Sequence, residues 1–219
     1  ILIWRSLLQW LGGIGIIVMA ISILPVLQVG GMQVFRTESS DTSDKILPRT
    51  AQVASAVLSI YIVLTSLCAL GYWVFGMQIF DAVNHSMTTI ATGGFSTKSG
   101  SIGAFNSSGI DYVSSIFMIL ASLPILVYLQ LYRGKITDFF KDQQIITFIL
   151  IVFLSCAAVI VYLWFYSIKE PAEAIRHGLF NVTSIITGTG YTTDNYNLWG
   201  AFPIYLLFFG MFIGGCAGS

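Results

Sequence analysis

Two short segments rich in threonine and glycine constrain this chain more than any other feature. Residues 85–97 read His-Ser-Met-Thr-Thr-Ile-Ala-Thr-Gly-Gly-Phe-Ser-Thr, and residues 181–193 read Asn-Val-Thr-Ser-Ile-Ile-Thr-Gly-Thr-Gly-Tyr-Thr-Thr. They align without a gap, so that Thr88 matches Ser184 and Gly94 matches Gly190. Each segment is too short and too polar to span a bilayer, yet each lies between two long apolar segments. The chain is therefore expected to fold as a repeated membrane unit in which a loop re-enters the bilayer.

Composition places the chain in a membrane. It is 56% hydrophobic and 9% charged, with a mean hydropathy of +0.83, whereas about 25% of an average soluble domain is charged. The formal net charge is zero, which argues against nucleic acid as a partner. Cys68, Cys156 and Cys216 are isolated from one another, so neither a zinc site nor a disulfide framework is predicted.

The apolar segments define the predicted architecture. Segments long enough for a hydrocarbon core of ~30 Å are predicted at 7–29, 51–75, 111–132 and 145–166, with a further one beginning near 199. Shorter segments at 78–90 and 171–186 each lead into a Thr/Gly loop. The predicted fold is all-α and integral to the membrane, with units of helix, re-entrant pore helix, filter loop and helix around a central pore. Because the chain begins with Ile1 and stops in a glycine-rich stretch at Ser219, we expect it to be the middle of a longer protein.

Basic residues in the short loops predict the orientation. Arg36, Lys45, Arg49, Arg133, Lys135 and Lys141 fall on one side, against Lys98, Lys169, Arg176 and Arg5 on the other. This bias places 36–50 and 133–142 in the cytoplasm. The Thr/Gly loops then open to the outside.

The residue types in the two loops favour an ion path. A permeating cation exchanges its hydration water for other oxygens, and backbone carbonyls supply these without a carboxylate that would trap the ion. Glycine tolerates positive φ, which lets consecutive carbonyls face one side; Gly93, Gly94, Gly188 and Gly190 meet that need. Thr92, Thr187 and Thr189 add hydroxyl groups. The short helices would direct the partial negative charge of their C-terminal ends toward the cation.

Other polar residues are predicted to be structural. His85 and His177 are expected to be hydrogen-bonded structural residues and not ligands. Glu170, Glu173 and Arg176 are expected to form a solvated helix start, with an outer vestibule as the alternative. The Thr/Gly segments could themselves be mere packing points, but two in register, each between a short helix and a full span, favour the ion path.

The chain resembles the Trk/Ktr/HKT superfamily of potassium transporters, and most closely its TrkH branch. The matching motifs are Trp-Arg-Ser-Leu-Leu-Gln-Trp-Leu-Gly-Gly-Ile-Gly (4–15), Val-Gly-Gly-Met-Gln-Val-Phe-Arg (29–36), Ala-Thr-Gly-Gly-Phe-Ser-Thr (91–97), Gly-Thr-Gly-Tyr-Thr-Thr (188–193) and Gly-Gly-Cys-Ala-Gly-Ser (214–219). Together they cover essentially the whole chain. The second loop departs from the usual pattern in having Gly188 where a threonine is usual.

The resemblance implies a division of the chain. Residues 1–35 correspond to the second helix of pore unit one, 36–50 and 133–144 to cytoplasmic loops, 51–132 to pore unit two, and 145–219 to a truncated unit three. It implies a potassium filter of backbone carbonyls from Ala91, Thr92, Gly93, Gly94, Thr187, Gly188, Thr189 and Gly190. It also implies an intramembrane gate formed by Gly214, Gly215, Cys216, Ala217, Gly218 and Ser219.

The function implied is potassium translocation across the bacterial inner membrane by a multi-pass protein, without cofactor or enzymatic chemistry. Family members imply a homodimer, embedded in lipid, that assembles with a cytoplasmic nucleotide-binding regulatory subunit. A membrane-embedded enzyme is disfavoured because the apolar spans contain almost no ionisable residue. A secondary transporter for an organic solute stays open, and it would use broken helices around a midplane pocket.

Overall fold

The computed structural model describes residues 1–27, 46–124, 127–128 and 142–215, with side chains given for 1–15 and from 54 onward within these ranges. All regular structure in these ranges is helical. The α-helices are α1 (Leu2–Leu27), α2 (Ile46–Val74), α3 (Ile79–Ile90), α4 (Ser108–Ala121), α5 (Gln143–Phe165), α6 (Pro171–Ile186) and α7 (Ala201–Gly210). Two 3₁₀ turns, Ser101–Phe105 and Tyr196–Leu198, precede α4 and α7.

Two of the helices are long and apolar enough to cross a bilayer. These segments are Ala54–Val74 within α2 and Gln143–Phe165, the whole of α5. Only 17% and 28% of their most apolar windows are buried inside the described structure. Their outer faces therefore present apolar side chains to their surroundings, as lipid-facing helices do.

The two short helices, α3 and α6, are instead enclosed by their neighbours. Helix α3 packs against α1, α2 and α4, and α6 packs against α4, α5 and α7. Asp81 lies in the first turn of α3, while Pro171 and Glu173 lie in the first turn of α6. Proline and carboxylates suit this position because the N-terminal N–H groups have no intrahelical partner and carry partial positive charge.

The hydrophobic core forms two clusters that meet at the short helices. One joins α1 to α4, and the other joins α4 to α7. Phe180 of α6 and Tyr191 of the following loop belong to the first cluster, although α6 itself packs mainly in the second. Both side chains are fully buried, so the two halves of the described chain share a continuous interior.

Within the predicted span over 111–132, helix α4 ends at Ala121, and most of the span after Pro124 lies outside the described residues. Pro124 has no N–H to donate to the carbonyl of Leu120 and disfavours a helical conformation at the residue before it. That carbonyl instead accepts hydrogen bonds from the Leu123 N–H (3.2 Å) and the Tyr128 hydroxyl (2.5 Å). Ser122 bonds to the Met118 carbonyl (2.8 Å). The break is therefore a satisfied turn between buried residues.

Several predictions lie outside the described residues. They concern most of the two loops expected in the cytoplasm and residues 216–219 of the expected gate. The unit boundaries at 1–35, 36–50, 51–132, 133–144 and 145–219 stay predictions.

Candidate functional site

The two Thr/Gly loops begin directly at the C-terminal ends of the short helices, and their N–H groups fold back onto those helices. Ala91 caps α3 and Thr187 caps α6. In the first loop, the N–H groups of Gly93 and Gly94 donate to the Thr88 carbonyl (2.8 and 3.4 Å). In the second loop, the Gly190 N–H donates to the Ser184 carbonyl (3.1 Å). This attachment occupies these N–H groups and leaves the carbonyl groups of each loop to other partners.

Both loops have positive φ at matched positions. Thr92 has φ +49° and Gly94 has φ +66° in the first loop, while Gly188 has +77° and Gly190 has +83° in the second. Left-handed residues thus alternate along each loop, which is the conformational freedom that glycine provides at no steric cost. Thr92 is the exception, since its Cβ makes this conformation unfavourable by about 1–2 kcal/mol.

The loops differ in how many of their carbonyl oxygens are free. Among the described residues, no group donates a hydrogen bond to the carbonyls of the second loop, Thr187 to Gly190. In the first loop, the Ala91 carbonyl accepts from the Thr92 hydroxyl (2.8 Å) and the Gly93 carbonyl accepts from Gln9 Nε2 (3.2 Å). The second loop therefore has four carbonyls without a donor among the described residues, close to the negative end of a helix dipole, and the Thr189 oxygen among them packs against Gly94.

The two loops touch each other at Gly94. A Cβ atom built on Gly94 would collide with the carbonyl oxygen of Thr189. A Cβ atom on Gly188 or Gly190 would meet nothing within 4 Å. Gly94 is therefore needed for the close approach of the loops as well as for its backbone conformation.

The threonine side chains of the second loop, from which we expect hydroxyl groups for the ion path, are buried. Thr187 and Thr189 are 4% and 3% exposed, and their hydroxyls bond to each other (2.9 Å). The two hydroxyl groups therefore meet each other's need for a hydrogen-bond partner. Backbone carbonyls are the groups that these residues can offer to a cation.

Tyr191 of the second loop reaches into the first short helix. Its hydroxyl lies within hydrogen-bond distance of the Thr88 hydroxyl and donates to the His85 carbonyl (3.2 Å). Thr88 also donates to the Phe95 carbonyl in the first loop (2.8 Å). A buried polar network of this kind stabilises one arrangement only when every member is satisfied. Tyr191 therefore fixes the two loops relative to each other.

Both histidines are hydrogen-bonded structural residues, as predicted. His85 Nε2 shares a hydrogen bond with the Ser96 hydroxyl (2.8 Å), and His85 Nδ1 with the Asp81 carbonyl (2.8 Å). His177 Nδ1 shares one with the Thr193 hydroxyl (3.0 Å). Each histidine thus ties a short helix to the end of the loop that follows it.

A charged residue follows each loop at the same position, but with opposite sign. Lys98 pairs with Asp81 (3.2 Å), and Asp194 pairs with Lys169 (3.0 Å). Partial burial acts to raise the pKa of the Asp194 carboxyl, but the Trp199 indole N–H and Lys169 outweigh it, so that its pKa lies below its usual value. The carboxylate is therefore charged at neutral pH.

Arg176 is not part of a solvated helix start, which corrects the prediction. Its Nε donates to Asp111 Oδ2 (2.6 Å), and the side chains are 19% and 1% exposed. The pair links α6 to α4, so it spans the two halves of the described chain. Glu170 and Glu173 are exposed, as predicted. The sequence separation of 65 residues left no local pattern from which this pair could be read.

Only the first two residues of the expected gate are described. Helix α7 ends at Gly210, where a Cβ atom would lie 3.1 Å from Ile186, the last residue of α6. Gly214 has φ +64° and Gly215 is half-buried. The chain thus leaves helical structure beside the start of the second loop. Cys216, Ala217, Gly218 and Ser219 lie outside the described residues.

Within the described ranges, no cluster of three or more His, Cys, Asp or Glu side chains is arranged to hold a metal ion. The unpaired carbonyls of the loops are the groups here that suit a cation. They suit a weakly held one, since they carry partial charges only.

Comparison with known proteins identifies close relatives. A family model described as "TrkH: Cation transport protein" matches residues 1–219. The chain is 45% identical to the Trk system potassium uptake protein TrkI of Halomonas elongata, covering 99% of this chain and 44% of that protein. It is 41% identical to TrkH of Escherichia coli K12, covering 100% and 46%. The crystal structure of the potassium transporter TrkH from Vibrio parahaemolyticus superposes with a TM-score of 0.86 at 37% identity, covering 100% and 44%. The chain therefore spans about half the length of the relatives it matches.

Proposed function

This chain belongs to the TrkH family of cation transport proteins, and on that premise we propose that it forms part of a potassium uptake pathway through a membrane. The all-α membrane fold expected from the sequence is confirmed by the match to the solved TrkH transporter. Its relatives are named as potassium uptake proteins. Potassium is accordingly the ion proposed for this chain.

The observation that best supports the proposal is the row of unpaired carbonyls from Thr187 to Gly190. These oxygens follow the C-terminal end of α6 and have no donor among the described residues. Carbonyl oxygens in such a row replace the water shell of a cation. The first loop adds the carbonyls from Ala91 to Gly94, and the contact between Gly94 and Thr189 holds the loops side by side.

The proposed mechanism involves no covalent chemistry. A potassium ion exchanges water for loop carbonyls, is stabilised by the C-terminal ends of α3 and α6, and moves on because no carboxylate holds it tightly. It then passes the glycine-rich segment from Gly214 to Ser219, which is proposed as the gate. A glycine-rich sequence suits such a role, because irregular backbone is tolerated at membrane depth where it lines a cavity.

The complete pathway is proposed to include pore units beyond the two loops described here, since the relatives are about twice as long. The name "Trk system" of those relatives supports a multi-component assembly. A homodimer in the bacterial inner membrane, with a cytoplasmic nucleotide-binding regulatory subunit, is the assembly proposed. The regulatory subunit would approach the side of 36–50 and 133–142.

The test is ion flux into liposomes that contain the full-length protein, measured with rubidium and with sodium. We expect rubidium flux well above sodium flux. Gly190→Ser should erode this preference about tenfold or more, because a side chain at φ +83° distorts the loop by about 1–3 kcal/mol.

A matched control is Gly12→Ser, because Gly12 lies on an exposed face of α1 with nothing within 4 Å of an added Cβ. This variant should keep the preference for rubidium. Equal flux of both ions in the unmodified protein would remove potassium selectivity from the proposal. If Gly190→Ser and Gly94→Ser both kept the preference for rubidium, the proposal that these loops form the filter would be wrong.

A further inference from the structure

One face of helix α1 packs against α3, the first short helix, and against the loop that follows it. Arg5 places its guanidinium 4.2 Å from the centre of the Phe95 ring. Ser6 donates to Asn84 Oδ1 of α3 (2.8 Å). A Cβ atom on Gly13 would lie 3.5 Å from Ala91. Residues spaced by three and four positions share a helix face, and on this face Gln9 lies between Ser6 and Gly13.

Gln9 is the residue of this face that contacts a loop carbonyl. Its Nε2 donates to the Gly93 carbonyl (3.2 Å). Its Oε1 is buried and has no hydrogen-bond partner among the described residues. A Cβ atom on Gly93 would collide with the Gln9 carboxamide. An unpaired buried carbonyl is unfavourable by about 1–3 kcal/mol. The position of the Gln9 carboxamide therefore needs an explanation other than its own hydrogen bonding.

We propose that Gln9 is a positioning residue that sets the ion preference of the first loop by holding the Gly93 carbonyl. The matched carbonyl of the second loop, that of Thr189, has no such donor within the described ranges and is instead packed against Gly94. This inference rests on the proposed function, since it assigns a role within the same filter.

The physical reason is that the Gly93 carbonyl oxygen can contact both the Gln9 amide and a cation. A carbonyl oxygen has two lone pairs, so Gly93 can accept from Gln9 and still face a cation. The hydrogen bond fixes the direction of the oxygen and lowers the negative charge it can offer. In a filter that selects by cavity size, fixed oxygen positions favour the larger ion, because they cannot close onto the smaller one.

The test is the ratio of rubidium to sodium flux in liposomes that contain the full-length protein. Gln9→Leu removes the donor and shortens the side chain by one atom, and we expect the ratio to fall about fivefold, the effect of losing one hydrogen bond. Gln9→Glu replaces the amide by a group that donates only when protonated. Its ratio should be low at pH 7 and should recover only as the pH falls to about 4.3, the usual pKa of a glutamate carboxyl.

The unmodified protein and Gln9→Leu are measured at the same pH values, because titratable groups are present on every element around Gln9. Those on α1, α2, α3 and the following loop include Arg5, Tyr61, Asp81, His85 and Lys98. These groups are common to all variants, so a pH response specific to Gln9→Glu reports the bond to Gly93.

The control variant is Thr65→Val, which removes the hydrogen bond from Trp10 Nε1 to Thr65 (3.0 Å) between α1 and α2. This variant weakens the packing of α1 against α2 without contacting either Thr/Gly loop, so the ratio of rubidium to sodium flux should not change. An unchanged ratio in Gln9→Leu overturns the inference, as does a low ratio in Gln9→Glu that ignores pH or an equal fall in Thr65→Val. A lack of rubidium preference in the unmodified protein overturns the proposed function and this inference together.

Discussion

The loop from Ala91 to Gly94 has a threonine where the loop from Thr187 to Gly190 has a glycine, yet both residues have positive φ. Gly188 adopts this conformation without strain, whereas Thr92 is held in it against the preference of a β-branched residue. The first loop must therefore be fixed by contacts from outside, and the structure shows these contacts. Gln9 donates to it from α1, and Tyr191 reaches the helix before it from the second loop.

The segment that follows the second loop is bonded to its own short helix as well as to the first unit, where Ser101 accepts from the Thr192 N–H (3.2 Å). The Ser184 hydroxyl donates to the Tyr191 carbonyl (2.7 Å), and Asn181 Nδ2 donates to the Thr193 hydroxyl (2.9 Å). Both donors come from α6, the helix that the loop follows. The comparison teaches that one backbone conformation can be specified locally by glycine, or from a distance by neighbouring helices.

The largest difference between the loops should appear when each key glycine is replaced by alanine. Gly94→Ala should abolish selective rubidium flux in liposomes, because its Cβ collides with the Thr189 carbonyl and its φ is positive. Gly190→Ala has open space around its Cβ, so only backbone strain of about 1–3 kcal/mol applies. A larger loss of selectivity in Gly190→Ala than in Gly94→Ala would contradict the contact between the loops.

An intermediate effect is expected from the aromatic residues that follow the glycines. Tyr191→Phe keeps the buried ring but leaves the Thr88 hydroxyl and the His85 carbonyl without this partner, which should destabilise the protein by about 1–3 kcal/mol. Thermal unfolding in detergent measures this change. Phe95→Tyr is the matched control, because Phe95 is half-buried and an added hydroxyl should change stability little. Equal shifts in the two variants would show that Tyr191 does not couple the loops.

The smallest effect is expected from exchanging the residues at the first positive-φ position. Gly188→Thr should lower stability by about 1–2 kcal/mol, since a Cβ is placed in a left-handed conformation. Thr92→Gly relieves the same strain but adds freedom to the unfolded chain worth about 0.5–1 kcal/mol, so the midpoint of thermal unfolding should stay the same or rise slightly. A pronounced fall in Thr92→Gly would mean that the threonine side chain has a role beyond conformation.

Local sequence signals predicted the short helices well. The proline and acidic residues at their first turns, and the glycines after their last residues, lie where the structure begins and ends α3 and α6. The positive φ of Gly94, Gly188 and Gly190 follows from the same local chemistry. These features depend on residues within a few positions of one another, which is why sequence alone could supply them.

The contacts between distant residues could not be predicted in this way. Gln9 and Gly93 are 84 residues apart, and Tyr191 and Thr88 are 103 apart. No periodicity or composition relates such pairs, because their proximity depends on how the helices pack. The break after Ala121 was within reach, since Pro124 is a local signal, but the apolar run around it favoured a continuous span.

The ion pair between Asp111 and Arg176 has a consequence for the order of synthesis. Asp111 is made 65 residues before its partner, and one of its carboxylate oxygens has no hydrogen-bond partner among the described residues even in the folded chain. A buried carboxylate is strongly unfavourable unless it is paired. We therefore expect α4 to settle fully only after α6 has left the ribosome, so that this part of the protein matures as a pair of helices.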